Sequence, residues 1–251
     1  MRIDATIQAR TRSTRLPNKV MKKIVGKPML QLQVERLQQS RLIDRIIIAT
    51  TVLPQDDVIE SLADDLGISC FRGSEADVLG RVVGALKAFD VELHFESKGD
   101  NPMPFHGLID SMIGYYLKFA DQFDYVTNAL KTTYPPGTDT IIYPSEVLID
   151  AEKQIAPDDP LREHVGIHIY QYPDRYRIHN VEAPPWYHVP DLHLEVDTDD
   201  DFALVTKIFE HFWDSNPGFS LSQVIEFAQQ EQLSKINKGV ERRWKKYRQN
   251  D

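Results

Sequence analysis

Between Arg10 and Lys27 the sequence places seven Lys or Arg and no acid, within the stretch QARTRSTRLPNKVMKKIVGKPM that spans residues 8–29. The chain as a whole is acidic, with a formal net charge of −9, so this cluster runs against the average. Arg10, Arg12, Arg15 and Lys19 alternate with hydroxyl residues and backbone N–H donors. Guanidinium forks, an ammonium group and oriented N–H groups together neutralise a polyanion such as a nucleoside triphosphate. Pro17 stiffens the loop, and Gly26 with Pro28 marks a turn before the next helix. A solvated loop, or one docking on an acidic partner, is the plainer alternative. Neither GxxxxGK[ST] nor GxGxxG occurs in the stretch, which sets it apart from the common phosphate-loop fingerprints.

Two acids complete the chemistry. Asp100 lies in a short turn after the apolar run VELHFES, and Asp197 follows HLEV in the same way. Taken singly, Asp100 reads as a turn former and Asp197 as the cap of a helix beginning near Asp199. Taken together, on strand ends beside an anion loop, they read as ligands for a magnesium ion, which favours carboxylates and bridges phosphate oxygens. Asp200 and Asp201 read as first-turn acids favoured by the helix dipole.

The elements that must carry these residues alternate along the first half. IDATIQ, IDRIIIAT, ISCF and VELHFES are strand patterns, and IDRIIIAT lacks alternation, as a strand buried on both faces does. Between them, MLQLQVERLQQS, PQDDVIESLADDLG and SEADVLGRVVGALKAF are helical, the last with Ser74 as the expected N-cap. In an open parallel sheet of this kind ligands sit beyond the carboxyl ends of the strands, where the basic loop begins. The second half is less regular. A helix near 106–120 and a strand at DYVTNA precede a turn-rich segment, TTYPPGTDTIIYP; PSEVLIDAEKQI and PLREHVGIHIYQY look helical, RYRIHNV like a strand, and DDDFALVTKIFEHFW like a strong amphipathic helix. We expect one domain over 1–251, with a small arm within 130–190 and a basic helix at 235–250.

With 251 residues, 41% hydrophobic and 27% charged, the chain fits a globular protein able to build a large core. No apolar run approaches the ~20 residues of a membrane span, and MRIDATIQ lacks the basic head and apolar stretch of a signal peptide. The single Cys70 excludes an internal disulfide and a cysteine-built zinc site. Overall acidity argues against a nucleic-acid protein. These features predict a cytoplasmic protein with no membrane and no nucleic-acid partner.

The motif A-R-x-x-S-x-R-L-P-x-K followed by G-x-P-M is filled by Ala9, Arg10, Ser13, Arg15, Leu16, Pro17 and Lys19, then Gly26, Pro28 and Met29. This resembles the signature of the CMP-sugar synthetases, the acylneuraminate and 3-deoxy-octulosonate cytidylyltransferases, and looks closest to their spore-coat-polysaccharide-type relatives. FRGSEADVLGR, GDNP, YPPGTD, REHVG and VDTDDD continue the resemblance in order, from residue 3 to about 210. It implies an α/β fold: a Rossmann-like nucleotide-diphospho-sugar-transferase sheet, mainly parallel but mixed, covered by helices on both faces and usually dimeric. It also implies transfer of CMP from CTP to the hydroxyl of an acidic sugar or related metabolite, with release of pyrophosphate, for surface polysaccharide. Ala9, Arg10, Ser13, Arg15, Lys19, Arg72 and Ser74 would bind CTP. Asp100 and Asp197 would hold Mg²⁺, and Arg15, Lys19 and Asp197 would act in catalysis.

For the acceptor, Arg162 and Arg175 are candidates to pair a carboxylate, which a guanidinium suits. His164 and His168 read either as acceptor contacts or as helix packing; Asp139 lies in a turn that can face the acceptor. We expect Asp139, Arg162 and His164 to contact it. Two positions depart from the family pattern. Relatives often carry a basic residue where this chain has Glu96, and an acid where it has Ile141. A homologous enzyme using another nucleoside triphosphate, or a nucleotide-binding regulatory subunit without catalysis, are the alternative readings.

Overall fold

The structure, a computed structural model, describes residues 1–242. Chain order begins with β1 (Ile3–Gln8), the two-residue pair β2 (Lys23–Ile24) and β3 (Lys27–Pro28), α1 (Met29–Leu37), β4 (Arg45–Thr51), α2 (Asp57–Asp65), β5 (Ser69–Gly73) and α3 (Val78–Ala88). It continues with β6 (Leu93–Lys98), α4 (His106–Lys118), β7 (Tyr125–Thr127), β8 (Ile141–Pro144), α5 (Ser145–Lys153), α6 (Ile167–Tyr170), β9 (Ile178–Asn180), α7 (Asp199–Phe212) and α8 (Leu221–Gln230).

The main sheet has the order β5-β4-β1-β6-β8-β7-β9. Strands β5, β4, β1 and β6 are parallel neighbours, and β8 alone is reversed, antiparallel to both β6 and β7. Burial on both faces explains the unalternating strands. In β4, Ile46 and Ile48 join one core, with residues of α1, α2, α4, α7 and α8, while Ile47 and Ala49 join a second, with residues of α3, α5 and α6. Successive side chains of a strand point to opposite faces, so a continuous apolar run feeds both layers. One cation is sealed into the first layer. Arg36 of α1 is fully buried and donates to the carbonyls of Pro104, Pro217 and Phe219 at 2.8–3.1 Å, its guanidinium stacked 3.8 Å over the Phe219 ring.

Several local expectations change. Asp77, not Ser74, caps α3: its carboxylate accepts from Gly80 N–H, while Ser74 Oγ accepts from Asp77 N–H. PLREHVGIHIYQY is not one helix, because Gly166 sits at φ +80° and separates a 3-10 turn at Pro160–Glu163 from α6. The IIY of the turn-rich segment is strand β8, and HLEV is no sheet strand. It is an extended passage held by Leu194 N–H on the Pro136 carbonyl and Val196 N–H on the Asp100 carbonyl. The stretch 130–190, expected to hold an arm, contributes β8, β9, α5 and α6 to the main layers. Where a basic helix was expected over 235–250, Leu233–Lys235 form a 3-10 turn and residues 236–242 are irregular; 243–250 lie outside the described residues.

Candidate active site

The basic loop leaves β1 at Gln8 and is pinned, not free. Leu16 and Val20 are buried in the core, Asn18 takes φ +58° and donates its N–H to the Thr11 carbonyl at 2.8 Å. Asp56 accepts from Thr11 at both the backbone N–H and the hydroxyl, at 2.8 and 2.7 Å. Asparagine tolerates the left-handed conformation that this tight reversal needs. Anchoring these two apolar side chains fixes the backbone on either side of Lys19, whose ammonium turns to the Val196 carbonyl and Asp197.

Beside the loop the chain after β6 turns back at Gly99. Its N–H donates to the Gln8 carbonyl at 2.9 Å, and a Cβ there would stand 2.7 Å from that oxygen, so only glycine allows the approach. Asp100 follows at once. Gly137 plays the same part behind Asp197: at φ +96°, any Cβ would meet Glu195 N at 2.3 Å. The Asp100 carbonyl accepts from Val196 N–H at 2.8 Å, so the two acidic turns are joined backbone to backbone.

The side chains then converge. Lys19 Nζ lies 3.0 Å from Asp197 Oδ1, 4.0 Å from Asp100 Oδ2 and 2.7 Å from the Val196 carbonyl. Arg15 Nη2 lies 2.5 Å from Asp197 Oδ2. They border a cleft of about 490 Å³ at the carboxyl ends of β1 and β6. Ala9, Arg10, Ser13, Arg15, Lys19, Asp100, Asp139, His164 and Asp197 all line it. Lys19 and Asp197, 178 positions apart in sequence, therefore share one wall, as the two-carboxylate and basic-loop pattern requires.

Three expected contacts lie elsewhere. Arg72 is spent on structure, donating to the Thr51 and Leu53 carbonyls and pairing with Asp57 and Glu60, which ties β5 to the start of α2. Ser74 serves the turn before α3. Arg162 is buried and bidentate on Asp77 at 3.0 and 2.8 Å, with Glu152 at 2.8 Å. None of the three lines the cleft, and neither does Arg175, paired with Asp150. Glu96 is also away from it: buried, it accepts from Gln8 Nε2 and Tyr143 O–H, and burial pushes its carboxyl above the usual range.

Other cleft residues escaped the sequence reading. Arg81, the last residue of the FRGSEADVLGR motif, lines the cleft; burial and then neighbouring Arg10 lower it to about 10. Lys98 lies 3.7 Å from Asp139, and Glu195, buried, borders the wall near Asp197. Burial moves His164 below its ordinary value. Position at the carboxyl end of a strand was the available signal for Lys98; Glu195 gave none.

The donor set suits a hard divalent cation. Among the described residues Asp100 Oδ1 is turned inward with no hydrogen-bond partner, and burial raises the Asp100 carboxyl despite Lys19, the state of a carboxylate short of positive charge. Among the described residues no group of three or more His, Cys, Asp or Glu gathers into a cage. Magnesium is bound in many phosphate sites by one or two carboxylates, with water and phosphate oxygens completing its shell, so Asp100 and Asp197 fit it.

Comparison with known proteins bears on this geometry. A family model described as cytidylyltransferase matches residues 5–241. An uncharacterised protein of Methanocaldococcus jannaschii is 36% identical over 250 residues, 99% of each chain. The spore coat polysaccharide biosynthesis protein SpsF of Bacillus subtilis is 32% identical over 223 residues, 87% of this chain and 90% of its own. A cytidylyltransferase structure from Leptospira borgpetersenii superposes with a TM-score of 0.88 at 24% identity, over 96% of this chain and 100% of that one, and so shares the fold. Among the described residues no helix is long and apolar enough to cross a membrane. With a basic loop and two carboxylates closing on one cleft, and a family match across nearly its whole length, the chain belongs to the cytidylyltransferases and is a CTP-dependent nucleotidyltransferase.

Proposed function

We propose that the protein transfers CMP from CTP to a hydroxyl of an acidic sugar-like acceptor, releasing pyrophosphate, and that it does so in the cytoplasm as a homodimer for surface polysaccharide synthesis. The observation that carries the reading is the convergence of Arg15 and Lys19 on Asp197, with Asp100 alongside, at the mouth of a loop built for an anion. The homology to the SpsF protein supports the polysaccharide context.

In this reading Arg10, Arg81 and the loop amides bind the triphosphate, and Ala9 and Ser13 shape its seat. The acceptor oxygen forms a bond to the α-phosphorus as the bond to the β-phosphate bridging oxygen breaks, in line. Asp197 takes the hydroxyl proton, and Arg15 and Lys19 stabilise the charge gathering on pyrophosphate. Mg²⁺ held by Asp100 and Asp197 would supply charge neutralisation on the phosphate oxygens. Positioning and electrostatics do most of the work in such transfers. Asp139 and His164 face the acceptor. Its carboxylate would meet Lys98, since Arg162 is committed to Asp77 and Glu152.

The test is pyrophosphate release on mixing the protein with CTP, Mg²⁺ and a panel of sugar acids, with UTP and GTP in parallel. Release that needs both CTP and an acidic sugar is expected. CTP binding with no release from any acceptor would point instead to a non-catalytic nucleotide-binding subunit.

A further inference from the structure

Behind Asp197 stands a clamp that the transfer itself does not use. Asp201, fully buried in the first turn of α7, turns Oδ2 to the backbone N–H groups of Asp197 and Thr198, each at 3.0 Å, and to the Thr198 hydroxyl at 2.9 Å. The reciprocal Thr198–Asp201 capping box is complete with that oxygen alone. Yet Oδ1 is occupied as well. It accepts from Arg242 Nη2 and from Asn237 Nδ2, both at 2.8 Å.

Both donors come from an irregular segment some forty residues downstream. The Arg242 side chain is 2% exposed, with Glu195 Oε1 3.5 Å from its other terminal nitrogen, so it lies between two buried carboxylates. Asn237 Nδ2 also donates to the His193 carbonyl at 3.1 Å, tying the segment to the passage that ends at Asp197. The same segment touches the basic loop. The Glu241 carbonyl accepts from Arg15 Nη1 at 3.3 Å, and Arg15 Nη2 is the group lying 2.5 Å from Asp197. Residues 237–242 thus grip the backbone of Asp197 through Asp201, and the guanidinium on its side chain through Glu241.

We propose that Arg242 is a positioning residue for the nucleotide site: together with Asn237 it fixes Asp201, and so holds the Asp197 carboxylate in register with Arg15 and Lys19. The inference rests on the cytidylyltransferase reading for its catalytic consequence, though not for its structural one. A carboxylate whose backbone is held by buried, charge-assisted hydrogen bonds keeps its direction when a polyanion enters beside it. Arg242 stands two contacts from that carboxylate, through Asp201 and the Asp197 backbone, so the roughly 10- to 100-fold change seen when a partner orienting a metal-binding ligand is lost sets the upper range of its effect.

The experiment compares wild type with Arg242→Gln and Arg242→Lys. For Arg242→Gln we expect kcat to fall by up to roughly 10- to 100-fold with the acceptor KM unchanged, and Arg242→Lys to recover part of the loss. Amide hydrogen exchange is read on the same proteins without any substrate. Peptides covering residues 194–203 should exchange faster in Arg242→Gln, while those of β1 and β4 stay as in wild type. Full kcat in Arg242→Gln overturns the proposal, as does faster exchange spread evenly over the sheet, which would mark a merely structural residue. If wild type shows neither transfer nor CTP binding, the functional reading fails, and the exchange comparison alone decides whether Arg242 holds the Asp197 turn. Should Arg242→Gln not fold, Asn237→Ser removes the other donor to the same oxygen and is read in the same two ways.

Discussion

Asp197 receives Arg15 and Lys19 at 2.5 and 3.0 Å on its side chain and Asp201 on its backbone, whereas Asp100 has Lys19 at 4.0 Å and, among the described residues, an inward oxygen with no hydrogen-bond partner. Each has a close glycine approach beside it, Gly99 on the end of β1 for Asp100 and Gly137 on the extended passage for Asp197, and their turns share a hydrogen bond. Their difference is electrostatic. Asp197 is neutralised before any ligand arrives, so it is pre-organised. Asp100 carries a charge that burial disfavours, so its turn is stabilised by whatever cation comes to it.

The largest test removes the group both acids share. Lys19→Met is expected to lower kcat by 10²–10³, about 2.7–4 kcal/mol of barrier, the usual cost of losing one donor to developing charge. Pyrophosphate release measures it, and a loss below tenfold would break the claim that Lys19 serves the reaction.

Next come the acids themselves, compared in urea. Asp197→Asn strands Arg15 and Lys19 beside a neutral amide and should cost on the order of 1–3 kcal/mol. Asp100→Asn should unfold no earlier than wild type, because the carboxylate it replaces is under-compensated. Equal losses would erase the distinction. In both variants the Mg²⁺ dependence of pyrophosphate release should weaken.

The strand leading to Asp100 adds a pH test. His94 on β6 is fully buried, its Nε2 2.7 Å from Thr6 Oγ1 and its Nδ1 without a hydrogen-bond partner among the described residues, and burial lowers it to about 3. The folded protein keeps this ring neutral while the unfolded chain protonates it near its ordinary value. Below about pH 6.5 the unfolded state therefore binds the extra proton, and stability falls toward acid by roughly 1.4 kcal/mol per pH unit until about pH 3. His94→Gln should remove that component of the acid limb in urea titrations at stepped pH. The smallest effect belongs to the Asp197 side alone: Thr198→Ala loses an N-cap and should cost about 1 kcal/mol in the same assay.

What the sequence shows of this molecule follows the range of each interaction. The basic loop, Asp100 and the alternating half of the sheet are written within short windows, as motif, strand end or periodicity, while Asp197 reaches the cleft from an extended passage and not from a strand end. Arg162 looked like a ligand because its partners, Asp77 and Glu152, lie 85 and 10 residues away; nothing local says that a guanidinium is already spent. Ser74 and Asp77 are both good N-caps, and only the observed turn chooses between them. HLEV has the composition of a strand, but its hydrogen bonds go to two loops. Asp201 read as a dipole acid because Arg242 stands 41 positions on.

That last separation has a consequence for how the protein is made. The strands of the sheet are all in place once Asn180 has been translated, yet the grip on Asp197 and Arg15 arrives only with residues 237–242. A nascent chain therefore holds every strand, and then the α7 and α8 residues that cover one face of the sheet, before it holds the residues that complete the site. Competence comes last, and a polypeptide interrupted just short of Asn237 would keep its strands while lacking the hold that aims them at a substrate.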